Sequence, residues 1–454
     1  MVRGGWKERL RKPRAQKVGL ISLGCPKNVV DAERLLGRFL EAGYEPTSDP
    51  QAADLLVVNT CGFKADAEAE SRAAIREMAA LKAIHPGKRL VVTGCLAQRY
   101  GEKLREEMPE IDLLAGTTGH DQVVSRLTIP ISVMPAADFA SASELAPRLL
   151  TTQPHTAYLK IAEGCNNPCT FCIIPRLRGP FRSRPLEEIV AEAEALVAGG
   201  VRELVVVSQD TTLYGRDLTP RLDLVDLLVR LERIRGVKWI RLMYLYPTMI
   251  TDKLLDHMAG STRILHYFDL PLQHAHGAVL KRMKRAERPE DLVRLVERIR
   301  QRMPEAVLRS VFIVGFPGES AEEFAALRAF VEQTRLDHVG VFTYSDEPEA
   351  EAFGLPGKVS AEEAEARRGE LMTLQQGISR EKLAGLVGRR MVLLVDGVEG
   401  RVTIGRTTGQ APEVDGVTRL EGRAIHPAGT MVPVEITGSK AYDLTARLAG
   451  APIS

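Results

Sequence analysis

The chain has 454 residues, of which 44% are hydrophobic and 26% are charged, and its formal net charge is +2. This length exceeds what one hydrophobic core supports, so we expect two to four domains. The nearly balanced charge excludes binding of nucleic acid through overall positive charge, and no run of about 18 apolar residues predicts a transmembrane helix.

The N-terminal segment MVRGGWKERLRKPRAQK is strongly basic, with seven Lys or Arg and one Glu. We expect residues 1–16 to form a basic disordered tail. No apolar segment of the kind found in a secretory signal follows these charges, so we expect a cytoplasmic protein. In that reducing compartment the six cysteines are not expected to form structural disulfides.

Residues 17–125 alternate apolar segments with amphipathic helical patterns. The segments KVGLISLGC, ADLLVVNTCG and KRLVVTGC predict three strands, each followed by a helical pattern. This alternation predicts an N-terminal α/β domain with a parallel sheet. Cys25, Cys61 and Cys95 each follow a predicted strand, one βαβ repeat apart. Because parallel strands end at one edge of a sheet, we expect these cysteines to meet there.

The rest of the chain predicts a linker and two further domains. Residues 126–153 are rich in Pro, Ala and Ser, which is typical of a linker. Residues 154–385 predict a partial or full (β/α)6-type barrel with its chemistry at the C-terminal strand ends, followed by a long helix over 360–386. Residues 386–448 contain short β-segments broken by Gly and Pro, which predict a small all-β barrel. The six strands predicted for the central domain are TAYLKIAEG, ELVVVSQDT, WIRLMYLYP, HYFDLPLQ, LRSVFIVGF and HVGVFTYS.

Three more cysteines, Cys165, Cys169 and Cys172, lie close together in GCNNPCTFCIIP. A structural zinc site needs four ligands. No other Cys or His occurs in about 60 residues after Cys172, although His155 lies ten residues before Cys165. Disulfide pairing of an odd number of thiols leaves one over. Three thiolates suit a 4Fe–4S cluster with one iron open to a chelating ligand.

The CxxxCxxC spacing, with Phe171 before the last cysteine, resembles the signature of the radical S-adenosylmethionine superfamily. The resemblance implies that S-adenosylmethionine binds the open iron and is cleaved to a radical by an electron from the cluster. Candidate contacts for S-adenosylmethionine are Phe171, Gln209, Gln273 and Gly315. The last three follow predicted strands, where a ligand of a barrel lies.

The three-domain arrangement resembles the methylthiotransferases over residues 17–448. The matching segments are SLGCPKN, NTCGF and TGC around the first three cysteines, and GRTTGQAPEVDG and YDL in a C-terminal module that resembles a TRAM domain. The resemblance implies two 4Fe–4S clusters and S-adenosylmethionine, which serves as both methyl donor and radical source. One cluster would bind to Cys165, Cys169 and Cys172, and the second, sulfur-delivering one to Cys25, Cys61 and Cys95.

Two branches of this family differ in substrate. The segments SLGCPKN, SQDTTLYG, RLMYLYP and GPFRSRP resemble the RimO type, which transfers a methylthio group to the β-carbon of an aspartate in ribosomal protein S-twelve. Residues 386–448 hold eight Lys or Arg and seven Asp or Glu, without the excess of basic residues expected of an RNA-binding module. We therefore expect as partners protein S-twelve, free or in the small ribosomal subunit, and an electron donor, but no membrane.

Two other functions fit parts of this pattern. The first is the same chemistry on adenosine in transfer RNA, the substrate of the other branch. The second is a non-catalytic iron–sulfur or zinc protein that binds RNA or the ribosome. The segment PEAEAF after FTYSDE also departs from the family, which usually has Gly-Thr before an Ala at this point.

Overall fold

The computed structural model describes residues 15–118, 120–127, 147–422 and 425–451. The chain divides into two compact units, one reaching Leu149 without Phe63–Ala65, the other formed by Phe63–Ala65 and the chain from Leu150 onward. Almost all of the predicted basic tail and most of the predicted linker lie outside the described residues. Within the described ranges, no helix is long and apolar enough to cross a membrane.

The first unit is built on a five-stranded parallel sheet with strand order β2-β1-β3-β4-β5. The three predicted strands correspond to β1, β3 and β4, whereas the short edge strands β2 and β5 were not predicted. The elements in chain order are β1 (Lys17–Ser22), α1 (Pro26–Glu41), β2 (Glu45–Pro46), β3 (Leu55–Thr60), α2 (Ala65–Ile84), β4 (Arg89–Gly94), α3 (Cys95–Tyr100), α4 (Glu102–Glu107), β5 (Leu113–Ala115) and α5 (His120–Arg126).

Burial accounts for the mostly apolar sequence of β3, the middle strand of this sheet. Every residue of β3 is buried, as expected for a strand that is covered on both faces.

The segment predicted as a third helix is divided into α3 and α4 at Gly101. The φ angle of Gly101 is +54°, which lies outside the right-handed helical region.

The central part of the second unit is a six-stranded parallel sheet with strand order β13-β12-β11-β10-β9-β6. All six predicted strands are present, and β6 and β13 are the unpaired edges, so this is a partial barrel. The elements are β6 (Thr156–Lys160), β7 (Ala162–Glu163), α6 (Ile174–Arg178), β8 (Arg182–Ser183), α7 (Leu186–Ala198), β9 (Glu203–Val207), α8 (Leu224–Glu232), β10 (Trp239–Leu242), α9 (Asp252–Gly260), β11 (Ile264–Gln273), α10 (Gly277–Arg282), α11 (Pro289–Arg302), β12 (Val307–Val314), α12 (Ala321–Thr334) and β13 (His338–Thr343).

The C-terminal part of the second unit is a closed five-stranded barrel with strand order β14-β15-β16-β18-β17. It confirms the predicted small all-β barrel. The segments RRMVLLVDG, GRVTIGRT, TMVPVEITGS and AYDLTARL, whose patterns predict strands, correspond to β14, β15, β17 and β18, and only the three-residue β16 was not predicted. The long predicted helix is α13 (Ala361–Ala384). The barrel strands are β14 (Arg390–Glu399), β15 (Val402–Arg406), β16 (Thr418–Leu420), β17 (Met431–Ser439) and β18 (Leu444–Leu448).

Buried ion pairs join this small barrel to the central sheet within the second unit. Glu203, at the start of β9, accepts hydrogen bonds from Arg241 (2.8 Å) and from Arg406 of the small barrel (2.6 Å). Arg406 also binds Asp396. All atoms of Glu203 and Arg241 are inaccessible to solvent. Removing one partner would leave a buried charge without compensation, so these contacts make the two parts interdependent.

Candidate active site

The first unit brings Cys25, Cys61 and Cys95 to one edge of its sheet. Cys25 is the N-cap residue of α1, Cys61 directly follows β3, and Cys95 directly follows β4 as the first residue of α3. The register of β1, β3 and β4 places their C-terminal ends side by side. The parallel sheet therefore gathers three cysteines that are far apart in sequence.

Asn28 connects the loops that carry these cysteines. Its fully buried side chain donates through Nδ2 to the carbonyl oxygens of Leu23 (2.8 Å) and Thr60 (3.0 Å). Its Oδ1 lies 3.8 Å from Cys95 Sγ. One uncharged amide thus touches the segments around all three cysteines.

Close backbone approach at this edge requires glycine beside the cysteines. Gly24 has a φ angle of +95°, and a Cβ atom there would lie 2.7 Å from Cys61 Cβ and 3.0 Å from its Sγ. A Cβ atom on Gly62 would lie 2.8 Å from the Cα atom of Leu96, next to Cys95. The three cysteine segments are therefore packed directly against one another.

In the second unit, Cys165, Cys169 and Cys172 share one loop between β7 and α6. The backbone N–H of Asn167 donates to Cys165 Sγ (3.4 Å), and that of Ile174 donates to Cys172 Sγ (3.5 Å). Hydrogen bonds of this kind stabilise thiolates over thiols, as metal binding requires. The loop is already folded into a form that supports thiolate ligands.

Contacts from several elements hold this loop in place. The backbone N–H of Thr170 donates to the carbonyl of Met283 (3.1 Å), and the carbonyl of Thr170 accepts from the N–H of Ala352 (2.8 Å). Asn167 Nδ2 donates to Asp210 Oδ2 just beyond β9 (2.9 Å). Ala352 belongs to the segment PEAEAF, so the part of the sequence that departs from the family pattern packs on the cysteine loop.

Burial raises the pKa values of Cys165 and Cys169 and raises the pKa of Cys172 to about 12. The three thiols are therefore protonated at neutral pH, and binding of a metal releases their protons. Three sulfur donors suit a cluster that leaves one iron open.

The described residues contain no group of three or more His, Cys, Asp or Glu arranged to hold a single metal ion. A cluster distributes its ligands over several irons, whereas a zinc ion needs four donors around one point. His155, the residue considered as a fourth zinc ligand, bonds Asp396 through Nε2 at 2.8 Å. It is thus engaged in the contact between the central sheet and the small barrel.

Of the residues predicted to contact S-adenosylmethionine, Gln209 shows an unsatisfied buried acceptor. Its Nε2 donates to Glu163 Oε1 (2.6 Å), whereas its Oε1 is buried without a hydrogen-bond partner among the described residues. Such an acceptor suits a donor group of a bound molecule. Gln273 is the last residue of β11 and adopts a positive φ of +69°, which is unusual outside glycine.

Gly315 and Phe171 have neighbours that explain part of their residue type. Gly315 follows β12 with a φ of +73°, and a Cβ atom there would lie 2.5 Å from Cβ of Ala364 on α13. Packing against that helix therefore already requires glycine. Phe171 is half-buried against a small apolar cluster that includes Met283 and Phe316. Its side chain anchors the cysteine loop to this apolar cluster.

Two charged residues at this site were missed in the sequence analysis. Glu163 accepts hydrogen bonds from Lys160 (2.9 Å) and Arg178 (3.0 Å) as well as from Gln209. Arg285 places Nη1 4.0 Å from Cys169 Sγ. Glu163 lies two residues before Cys165, so its place at this site could have been predicted from the sequence. Arg285 is one basic residue among several in KRMKRAER, so its sequence context carries no comparable signal.

Models of three protein families match successive parts of the chain. The uncharacterized protein family UPF0004 matches residues 17–116, the radical SAM superfamily matches 159–331, and the TRAM domain matches 387–449. The central match includes the loop with Cys165, Cys169 and Cys172.

Curated relatives match almost the whole chain. The protein named ribosomal protein uS12 methylthiotransferase RimO from Solibacter usitatus is 46% identical, covering 95% of this chain and 94% of that protein. Proteins of the same name from Aquifex aeolicus and Sorangium cellulosum are 44% and 45% identical, and cover 95% and 96% of this chain.

Solved structures with low sequence identity share the fold. The radical S-adenosylmethionine methyltransferase TsrM from Kitasatospora setae, solved with cobalamin and a 4Fe–4S cluster, aligns with a TM-score of 0.54 at 16% identity, covering 72% of this chain and 75% of that chain. The cobalamin-dependent S-adenosylmethionine radical enzyme OxsB aligns with a TM-score of 0.52 at 12% identity, covering 81% and 56%.

Proposed function

The chain belongs to the RimO family of radical SAM methylthiotransferases, and on this premise we propose that it transfers a methylthio group to the β-carbon of an aspartate in ribosomal protein uS12, the protein S-twelve of the small subunit. The observation that carries the proposal is the loop with Cys165, Cys169 and Cys172. It offers three sulfur donors, of which Cys165 is buried and Cys169 and Cys172 are half-buried, and the described residues hold no group of three or more His, Cys, Asp or Glu arranged around a single metal ion.

The chemistry explains why such a loop is needed. The β-carbon of an aspartate carries an unactivated C–H bond and has no leaving group. General acid–base catalysis contributes typically about 10²–10⁴-fold, which is too little to replace that hydrogen with sulfur. When bound, an iron–sulfur cluster and S-adenosylmethionine supply radical chemistry, while the protein supplies binding, orientation and exclusion of water.

In this proposal each cysteine triad holds its own 4Fe–4S cluster. Cys165, Cys169 and Cys172 hold the one that faces S-adenosylmethionine, with N–H groups of Asn167 and Ile174 supporting the sulfurs. When bound, the second cluster would supply the sulfur, and the edge of the N-terminal sheet, where one buried amide joins the loops, would hold it. The ligands of this second cluster are Cys25, Cys61 and Cys95.

Four residues are proposed to position S-adenosylmethionine. Gln209 carries the strongest argument, because its buried Oε1 lacks a hydrogen-bond donor among the described residues and so can accept from a bound molecule. Gln273 and Gly315 lie at the C-terminal ends of β11 and β12, where ligands of parallel barrels lie. Phe171 contributes by holding the cysteine loop.

A deletion strain provides the test of the substrate. Mass spectrometry of uS12 and of transfer RNA should show loss of the methylthio group from uS12 alone, and its return when the wild-type gene is restored. A gene encoding Cys169→Ala should not restore it. Loss of a modification from transfer RNA instead would establish the alternative substrate and contradict the proposal.

The purified protein tests whether it is catalytic. After anaerobic reconstitution, the wild type should bind iron and sulfide equivalent to two clusters and cleave S-adenosylmethionine when reduced. Cys169→Ala should not cleave it. A single bound zinc ion, with no cleavage by the wild type, would favour the non-catalytic binding protein. Cleavage by Cys169→Ala would refute the assignment of this loop.

A further inference from the structure

Arg285 is a buried cation beside one of the cysteine ligands. It follows α10, and its side chain is only 3% exposed. Nη1 lies 4.0 Å from Cys169 Sγ, at the long limit for a hydrogen bond to sulfur. These residues are 116 positions apart in sequence. The fold therefore places a permanent positive charge next to the cysteine loop.

The guanidinium is held from three other directions. Its Nη2 donates to the carbonyl oxygen of Pro271 (2.8 Å) and to Glu287 Oε1 (2.5 Å). The guanidinium carbon lies 4.3 Å from the centre of the Tyr246 ring, in cation–π geometry. These contacts fix the plane of the guanidinium and leave Nη1 as the nitrogen that faces the sulfur, while Nε is buried without a hydrogen-bond partner among the described residues.

Stability alone does not explain this arrangement. A buried Arg–carboxylate pair contributes little net stability compared with apolar residues of similar size, because both charges lose hydration. Glu287 is 1% exposed at its side chain and satisfies one nitrogen of Arg285. The nitrogen that points at Cys169 takes no part in that ion pair, so its direction calls for a separate explanation.

We propose that Arg285 is a positioning residue that raises the reduction potential of the cluster held by Cys165, Cys169 and Cys172. This inference rests on the proposed function, since it assumes that cluster. One-electron reduction adds negative charge to the cluster and its sulfurs. An N–H···S hydrogen bond and a nearby cation stabilise the reduced form, because both interact more strongly with the added charge. Glu287 offsets part of this effect.

The test measures the potential of this cluster alone. The full chain with Cys25, Cys61 and Cys95 each replaced by Ala keeps only the second triad. It is reconstituted with iron and sulfide and titrated with dithionite as the one-electron reductant, while the reduced cluster is followed by electron paramagnetic resonance. In this background, Arg285→Gln should lower the equilibrium constant for reduction at least tenfold, or about 59 mV for one electron.

Two further variants distinguish this role from a structural one. Glu287→Gln removes the offsetting carboxylate and should raise the equilibrium constant, opposite to Arg285→Gln. Arg282→Gln is the matched control, because Arg282 is a nearby half-buried arginine that pairs with Glu323 and does not contact a cysteine. The potential should not change in this control. A merely structural role predicts no such opposite shifts.

The result that overturns the inference is a change below threefold in Arg285→Gln, or an equal shift in Arg282→Gln. If Arg285→Gln binds no iron, the double variant Arg285→Gln/Glu287→Gln, which leaves no buried unpaired charge, is compared with Glu287→Gln for the same tenfold loss. Absence of iron in the background protein would overturn the proposed function itself. Normal iron content without a shift would overturn only the role of Arg285.

Discussion

The two cysteine triads are assembled in different ways. Cys25, Cys61 and Cys95 follow three separate strands, so their proximity depends on the completed sheet of the first unit. Cys165, Cys169 and Cys172 share one loop, and local hydrogen bonds to two of the sulfurs already shape it. The first site therefore requires long-range folding, whereas the second needs mainly a correctly anchored loop.

Their surroundings differ as well. Asn28, an uncharged amide, connects the loops of the first triad. The second triad has Arg285 and Glu287 at one side and Asp210 at another. A cation also lies near the first triad, because Arg99 Nη1 donates to the carbonyl oxygen of Gly62 beside Cys61 (3.0 Å). At the second triad the cation faces a cysteine sulfur itself, which suits a site whose electron affinity must be adjusted. The following predictions test this comparison.

The largest effect is expected when one cysteine of a triad is replaced, because each triad supports a different step of the proposed reaction. Cys172→Ser should abolish reductive cleavage of S-adenosylmethionine, whereas Cys61→Ser should retain cleavage and lose sulfur transfer to uS12. Each variant should retain about four of eight irons per chain, because three ligands hold each cluster. Iron analysis and product detection by mass spectrometry measure the outcome. Loss of all iron in either variant would show that the two sites do not assemble independently.

Replacing a glycine beside each triad should damage that triad alone. A Cβ atom on Gly24 would lie 2.7 Å from Cys61 Cβ, and one on Gly164 would lie 2.1 Å from the carbonyl oxygen of Pro180. Both glycines have positive φ angles. Gly24→Ala and Gly164→Ala should each cost about 3 kcal/mol locally, from backbone strain and contact, and halve the iron content.

Gly43→Ala is the matched control for these two variants. Gly43 has a similar φ of +86°, but a Cβ atom there would meet no atom within 4 Å. This variant should show the strain without loss of iron. Hydrogen exchange of peptides around each site separates the two effects. Equal iron loss in Gly43→Ala would mean that backbone strain, and not contact with the cysteine segments, is the cause.

Removing the polar anchors should have a smaller effect. Asn28→Ala leaves the carbonyl oxygens of Leu23 and Thr60 without that donor, and should lower the local free energy of unfolding by about 2 kcal/mol. Asp210→Asn keeps one acceptor oxygen and should cost about 1 kcal/mol. Hydrogen exchange of each loop is the measurement. An equal loss of protection in both loops from either variant would contradict their separate anchoring.

A separate effect, on stability and not on either cysteine triad, concerns the acid sensitivity of the second unit. Burial lowers the pKa of His274 from an ordinary 6.5 to about 3. The nearby His276, Arg282 and Arg367 lower this pKa further, whereas the carboxylate of Glu323 raises it. The unfolded chain binds this proton more readily, so the contribution of His274 to stability is lost as the pH falls from about 6.5 to about 3. The slope is about 1.4 kcal/mol per pH unit.

Thermal unfolding across this range, compared with His274→Gln, measures that contribution. The variant should lose less stability between pH 6.5 and 5 than the wild type. A first-unit transition that is unaffected in the same scan serves as the internal control. Parallel curves for wild type and variant would show that His274 does not titrate in this window.

Patterns in the sequence were sufficient for most of the fold. Apolar segments predicted the strands that carry the cysteines, because a buried parallel strand must be apolar on both faces. The weak points were short elements with few residues to form a pattern, such as Thr418–Leu420. The break at Gly101 was also missed, since a glycine with positive φ looks the same in sequence as one inside a helix.

The sequence by itself was enough to group the six cysteines into two triads. One triad is defined by its spacing and the other by its place after parallel strands. Only the tertiary structure decided which charges surround them. Arg285 meets Cys169 across 116 residues, and Gln209 directs its amide toward Glu163. Periodicity reports which face of an element is buried, whereas the partner of a buried polar group depends on how distant elements pack.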